Sequence, residues 1–373
     1  MTTERTTPYD TLMKLTVQVR LLPTTEQAKA LLATMKAFNE AASFAAKAGF
    51  DAKVFSAPSI QKLCYYELRK QFGLSAQMAV RAVGKAAEVF RRDKAKCPSF
   101  KPTGAMTYDE RILSWKGCEK VSILTLSGRI LVPYVFGEYQ KSNLARLKGQ
   151  VDLIYRDGKF YLHASCDIPE DPLLVVSDYL GVDLGIVEIA VTSDGQSFSG
   201  EQVEKVRKRF QKTRRNLQRR RTRSAKRILV RIRRRESNFR RHQNHVISKA
   251  IVAIAKGTCR GIGLEDLTHI RERITVRKKQ RNRHSGWSFA QLRAYVEYKA
   301  KRSGVPVVAV DARYTSQTCS ACGHRDKASR KSQSQFVCTA CGHSMNADHN
   351  GARNIGFRAR GATNHPHEPH ASA

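Results

Sequence analysis

Between Thr315 and Asn350 the chain reads TSQTCSACGHRDKASRKSQSQFVCTACGHSMNADHN, and its four cysteines restrict local folding more than any other feature. Cys319, Cys322, Cys338 and Cys341 form two CxxC pairs separated by fifteen residues, a spacing that sets four thiolates tetrahedrally around one Zn2+ ion. Gly323 and Gly342 directly follow the pairs, where a knuckle turn needs a residue free to take positive φ. Four thiolates fill the coordination shell, so a closed, structural zinc ribbon over residues 315–342 is expected. A redox dithiol would need one CxxC, not two matched ones. His324 and His343 find the shell already filled and are expected at the surface or on nucleic acid. The remaining cysteines, Cys64, Cys97, Cys118, Cys166 and Cys259, follow no framework spacing, which suits a reducing, cytoplasmic compartment.

A formal charge of +35 on 373 residues points to a polyanionic partner, nucleic acid above all. Residues 178–373 carry 41 Lys+Arg against 15 Asp+Glu, and residues 1–177 carry 26 against 17, so the second half is the expected phosphate grip. Within it, residues 205–241 hold 19 basic side chains and one acid, Glu236. A helix so charged repels itself unless a polyanion lies along it. The expected contacts are Arg207, Arg214, Arg215, Arg219, Arg220, Arg221, Arg233, Arg234 and Arg235, with Leu217, Ile228, Leu229 and Ile232 as a thin docking stripe. A second patch, residues 271–287, adds Lys278 and Lys279. No run approaches the roughly 20 apolar residues of a membrane span, and the first residues lack an apolar leader, so no membrane partner is expected.

Residues 12–21 alternate apolar and polar side chains, the period of a half-buried strand. Pro23 then stops the strand, Thr24 or Thr25 can cap, and helical spacing takes over through about residue 95. Ser127-Gly128 and Asp157-Gly158 lie between alternating runs and predict hairpins. Strand 12–21 and strands within 97–170 therefore predict a β-barrel-like domain with an inserted helical unit, ending at the prolines of PEDPLLVVSD. The second half predicts an α/β layer: a strand–turn–strand at 179–199, a mostly helical stretch from 201 to 256, and a buried strand at CRGIGLEDL. A helix closed by Gly304 and a second buried strand, VPVVAVD, come next. Trp287, Phe289 and Tyr295 are expected in the core of that helix. Beyond a last helix, residues 361–373 have no periodicity and predict a disordered tail, with His365, His367 and His370 only weak metal candidates.

GVDLGI sets Asp183 in an apolar strand, and GIGLED sets Glu265 at the end of another. A carboxylate in such a setting is costly without a partner or a cation. A third acid, Asp348, begins the last helix, and Asp266 and Asp311 compete for the second and third positions. Three converging carboxylates repel one another unless Mg2+ neutralises them, and two such ions also serve phosphodiester hydrolysis.

GVDLGI, GIGLEDL, WSFAQLRAYVEYKA, RYTSQTCSACG and CTACGHSMNADHNGARNIG occur in that order. Over roughly residues 178–357 the chain resembles the OrfB/TnpB proteins of bacterial insertion sequences, relatives of the compact type V CRISPR effectors. VRLLPTTEQAKALLATMKAFNEAASFA resembles the start of that family more loosely. The resemblance implies an RNase H-like (RuvC) nuclease domain over 178–314 and 343–360, with the zinc ribbon inserted at 315–342. It further implies a wedge domain over 1–22 and 97–172 and a recognition unit over 23–96. The implied activity is RNA-guided DNA cleavage, with guide RNA and target DNA as partners, Asp183, Glu265 and Asp348 as magnesium ligands, and a transposase of the same element as a further partner. Asn346 stands where the family commonly has a second acid. A catalytically silent regulator and an unguided DNA transposase are the alternative activities, and the oligomeric state stays open.

Overall fold

The alternating start of the chain forms strand β1 (Leu12–Leu21) in the computed structural model, which describes residues 12–117, 119–144, 147–266 and 289–364. Lys278, Lys279, Trp287 and the tail histidines lie outside the described residues. The chain divides into two units, with the boundary between Pro169 and Glu170.

In the first unit six strands follow β1: β2 (Met106–Tyr108), β3 (Leu113–Lys116), β4 (Lys120–Thr125), β5 (Gly128–Val135), β6 (Leu147–Arg156) and β7 (Lys159–Pro169). All pair antiparallel, in the order β2-β6-β7-β1-β5-β4-β3. The two edge strands, β2 and β3, are separated only by residues 109–112. So short a link reaches about 18 Å at most, so the sheet must curl until its edges nearly meet, as the barrel-like expectation requires. Asp157 and Gly158 take φ of 52° and 75°, the paired positive values of a type I′ hairpin between β6 and β7. The β4–β5 turn is Leu126-Ser127, with Gly128 already in β5 at φ 105°.

Three helices are inserted after β1: α1 (Thr25–Asp51), α2 (Ala57–Phe72) and α3 (Ala76–Phe90). Thr24, not Thr25, caps α1 in a capping box with Gln27, and Ser56 and Ser75 cap the other two. Ala41, Ala45, Ala82 and Ala86 let the helices approach closely, and Leu31, Phe38 and Phe90 share one core with Val17, Tyr108 and Leu162 of the sheet. A short helix, α4 (Glu138–Leu144), separates β5 from β6.

The second unit begins with β8 (Tyr179–Asp183), β9 (Glu188–Thr192) and β10 (Ser197–Ser199). Three helices, α5 (Glu201–Arg220), α6 (Arg223–Ile232) and α7 (Arg235–Gly257), occupy the basic stretch read as mostly helical; one break falls at Arg221, at φ 49°. Then come β11 (Gly261–Glu265), α8 (Phe289–Arg302) and β12 (Val307–Val310). The hairpin β13 (Gln335–Val337) and β14 (Ser344–Asn346) leads into α9 (Ala347–Asn364). The main sheet runs β10-β9-β8-β11-β12, with β8, β11 and β12 parallel and β9 antiparallel to both its neighbours.

Strand periodicity divides the faces of β8 and β11. Leu180, Val182, Ile262 and Leu264 pack with Ile251 of α7 and Leu292 and Val296 of α8. The alternate residues, Tyr179, Gly181 and Asp183, face α9 on the other side. Two expectations change here. VPVVAVD is an edge strand among the described residues, half-buried and not fully buried, with Ala309 exposed. The last helix continues to Asn364, so residues 361–364 are helical where a disordered tail was expected.

Candidate active site

Gly181 and Gly263 lie level in the parallel register of β8 and β11. A Cβ on Gly181 would run into the Ala352 carbonyl and the Gly356 amide, and one on Gly263 would come within 2.9 Å of the Ala359 Cβ. The two glycines therefore form the floor on which α9 lies. Two residues farther along each strand, on the same face, stand Asp183 and Glu265. Both are at the carboxyl ends of parallel strands, where open α/β sheets form their clefts. Gly351 of α9 leaves room for the first of them, because a Cβ there would stand 3.3 Å from Asp183 Oδ2. Asp348 lies in the first turn of the same helix. The fold thus gathers all three acids at one end of the sheet.

Their titration reflects that placement. Burial first, then the charges of Glu265 and Asp348, push Asp183 up to about 7. Burial likewise raises Glu265 and Asp348, against the pull of a Thr315 hydrogen bond on the former and of Arg330 on the latter. Such a cluster favours cations. Among the described residues only the four cysteines bring all their ligand atoms within 4.8 Å of one another, so the acids are spaced more widely than a single tight shell.

Three neighbours hold the acids. Thr315, buried, donates its hydroxyl to Glu265 Oε1 at 2.5 Å. Arg330 comes within 3.7 Å of Asp348 Oδ1 from the cysteine-bearing segment. Asn346 Oδ1 accepts from the Asp348 and His349 amides at 2.9 and 3.1 Å, which caps α9. The residue at the family's second acid is here a helix cap, a role that Asn and Asp fill about equally. Thr315 and Arg330 carried no spacing signal in the sequence. The competitors differ in place: Asp266 pairs with Arg293 of α8 at 2.9 Å, while Asp311, just past the Val310 that pairs with Glu265, is exposed, accepts from the Arg313 amide and adds its charge to the forces that raise Glu265.

The cysteines form a second site. Cys322 and Cys338 Sγ lie 3.6 Å apart and Cys319 and Cys341 Sγ 3.8 Å apart. Tetrahedral thiolates at about 2.3 Å from zinc are separated by about 3.8 Å, far beyond a disulfide bond, so the donor set fits the ion. The two knuckles repeat each other. Cys319 and Cys338 amides donate to the His324 and His343 carbonyls, and Gly323 and Gly342, at φ 74° and 72°, donate back to Cys319 and Cys338. The Cys341 and then the Ala340 amide pull the Cys338 thiol down, toward the thiolate that a metal needs, while on Cys322 the pull of the His324 amide is outweighed by the other three thiols and burial, which push the thiol up. Asn350 accepts from the Ser320 amide and donates to the Thr318 carbonyl, and Asn354 donates to the Thr315 and Thr318 carbonyls. The first knuckle and α9 are thereby stitched together.

On the basic helices, Arg207 is held by Glu204 at 2.7 Å and Arg214 by the buried Glu236 at 2.6 Å. Arg215, Arg219, Arg220, Arg221, Arg233, Arg234 and Arg235 lie toward solvent on these helices and their turns. Leu217 is buried, while Ile228, Leu229 and Ile232 are half-buried. Phe289 packs against the core, and Tyr295 stacks on His245 with centroids 4.0 Å apart.

Two family models match: the Cas12f1-like TNB domain over residues 289–355 and the probable transposase OrfB_IS605 over residues 166–269. The CRISPR-associated endodeoxyribonuclease Cas12f1 of Sulfoacidibacillus thermotolerans is 33% identical over 259 residues, 63% of this chain. That match spans 58% of the relative's length. The putative RNA-guided DNA endonuclease InsQ of Escherichia coli K12 is 29% identical, over 75% of this chain and 72% of its own. Among solved structures, a Cas12f1–sgRNA–target DNA complex matches with a TM-score of 0.63 at 14% identity, over 92% of this chain and 99% of that one. The mini-RNA-guided endonuclease CRISPR-Cas_phi3 matches with a TM-score of 0.59 at 9% identity, over 94% and 92%. The fold is thus that of the compact type V effectors.

Proposed function

We propose that this chain, which is similar to OrfB/TnpB-type proteins in sequence and to the compact type V effectors in fold, is an RNA-guided, metal-dependent DNA endonuclease encoded by an insertion sequence. The observation that carries the proposal is the convergence of Asp183, Glu265 and Asp348 at the carboxyl ends of β8 and β11, with mutual repulsion that invites cations. A sheet of two antiparallel strands beside three parallel ones, flanked by helices on both faces, supports an RNase H-like (RuvC) domain over 178–314 and 343–360. The curled sheet is then the wedge domain, and α1–α3 are the recognition unit.

Asp183, Glu265 and Asp348 would hold magnesium through carboxylate oxygens. Bound magnesium supplies an activated water and neutralises charge on the phosphodiester. Thr315 fixes one Glu265 oxygen and leaves the other for a ligand. Asn346 sets the direction of the first turn that carries Asp348, and Arg330 tempers the negative charge beside it. The four cysteines would hold zinc as a brace that delivers Thr315, Arg330 and α9 to the site. The exposed arginines of α5–α7 would grip phosphate without regard to sequence, while pairing with the guide RNA chooses the target.

The test is incubation of the full chain, with its co-purified RNA and magnesium, on a plasmid carrying a sequence that the RNA can pair with. Guided linear product supports the proposal. Plasmid joined to new DNA indicates strand transfer instead, and an intact plasmid overturns nuclease function.

A further inference from the structure

Tyr314 takes φ of 64°, the left-handed region that side chains with a Cβ rarely adopt and that persists only where the surroundings impose it. The surroundings here do so. The Tyr314 carbonyl accepts from the Gln317 and Thr318 amides at 3.0 and 3.1 Å. Arg358 of α9 donates to the Asp311 and Arg313 carbonyls just before it, and Asn354 to the Thr315 carbonyl just after. Yet Tyr314 as a residue is 43% exposed, and the exposed Arg325 guanidinium covers one face of its ring, 3.0 Å from the centroid. The next residue, Thr315, is the one that holds Glu265. A strained, rigid backbone therefore presents an aromatic ring and a cation outward at the rim of the acid site.

We propose that Tyr314 and Arg325 form a stacking platform for an unpaired nucleobase of the strand that enters this site, an assignment that rests on the site's acting on nucleic acid. Stacking suits such a place because every base has a π face, so the contact tolerates any sequence, and the guanidinium adds attraction for base and phosphate alike. The pair thereby holds a strand next to the carboxylates without limiting which sequence is cut.

The wild-type chain with its co-purified RNA, without added magnesium, is irradiated with a single-stranded DNA oligonucleotide carrying 5-iodouracil, and the cross-links are mapped by peptide mass spectrometry. A cross-link at Tyr314, with about ten-fold weaker oligonucleotide binding by Tyr314→Ala and unchanged binding by Tyr314→Phe, is the expected result. Tyr314→Gly relieves the backbone and should melt no lower than wild type while binding as weakly as Tyr314→Ala. Cross-links confined to other residues, or equal binding by Tyr314→Ala, overturn the platform. A Tyr314→Gly chain that melts markedly lower assigns the ring to packing and overturns it too. Plasmid cutting measured in parallel separates the two ideas: cutting without the Tyr314 cross-link rejects the platform alone, and the cross-link without cutting rejects only the nuclease.

Discussion

Ala352 of α9 lies so close over Gly181 of β8 that a side chain on the glycine would collide with its carbonyl oxygen. Asp348 is one helical turn before Ala352, and Asp183 is two residues after Gly181, so this backbone approach sets the spacing of two acids. Gly181→Ala should lift α9, cost about 2–3 kcal/mol of stability and abolish cutting together. Thermal melts and plasmid cleavage of the same preparation check it, and an active Gly181→Ala chain would show that the helix need not lie so close.

The acids make stability depend on pH in an unusual direction. Asp183 is raised from 3.8 to about 7, so the native chain keeps a proton that the unfolded chain has released. Its contribution is fully present below the unfolded value and is lost as pH rises through about 7. Asp183→Asn imitates the protonated form. Wild type should match this variant near pH 4 and fall below it by roughly 4 kcal/mol near pH 8 in metal-free buffer. Glu265 and Asp348, raised as well, act in the same direction. Paired melts across that range check the slope, and magnesium at the upper end should narrow the gap.

Asn346 caps the helix that carries Asp348. Asn346→Asp should keep both stability and cutting, because either side chain accepts from the same amides. Asn346→Ala should lose about 1 kcal/mol and slow cutting more than it weakens nucleic-acid binding. Denaturant melts and single-turnover rates distinguish the two variants.

The arginines of the basic helices should separate by role. Replacing Arg219, Arg220 and Arg221 with alanine should weaken DNA binding and flatten its log–log salt dependence by about 0.9 for each phosphate no longer neutralised. Arg214→Ala should leave the buried Glu236 charge unpaired and lower stability by about 1–3 kcal/mol, with little change in salt slope. Binding titrations across salt concentrations and thermal melts measure both.

Features set by neighbouring residues were legible in the sequence: the period of β1, a helix cap at Thr24 or Thr25, the Asp157-Gly158 hairpin and the cysteine knuckles. Asp183 and Glu265 stood out because an acid in or at the end of an apolar strand is conspicuous, and Asp348 because it follows the last knuckle at the start of the last helix, in a motif that carries the family resemblance. What holds them was not legible. Gly181 and Gly263 become a helix floor only when α9 folds back on them, more than a hundred and seventy residues after Gly181. Thr315 and Arg330 are unremarkable residues in a polar stretch until the ribbon packs on α9. Arg207 and Arg214 looked like their neighbours in a basic run, and only the turns between α5, α6 and α7 give Arg214 its partner Glu236. The turn at Arg221 needed a left-handed residue that the sequence did not mark with glycine.

If Asp183, Glu265 and Asp348 cut DNA chosen by a bound RNA, the most direct measurement compares wild type with Asp183→Asn. Each carries its co-purified RNA and meets a matching plasmid with magnesium. Guided cutting by wild type is expected, with at least a thousand-fold slower cutting by Asp183→Asn, on the order of the loss typical for a charge-stabilising group, and equal RNA content in both. Cutting by an RNA-loaded Asp183→Asn chain at the wild-type rate would contradict it.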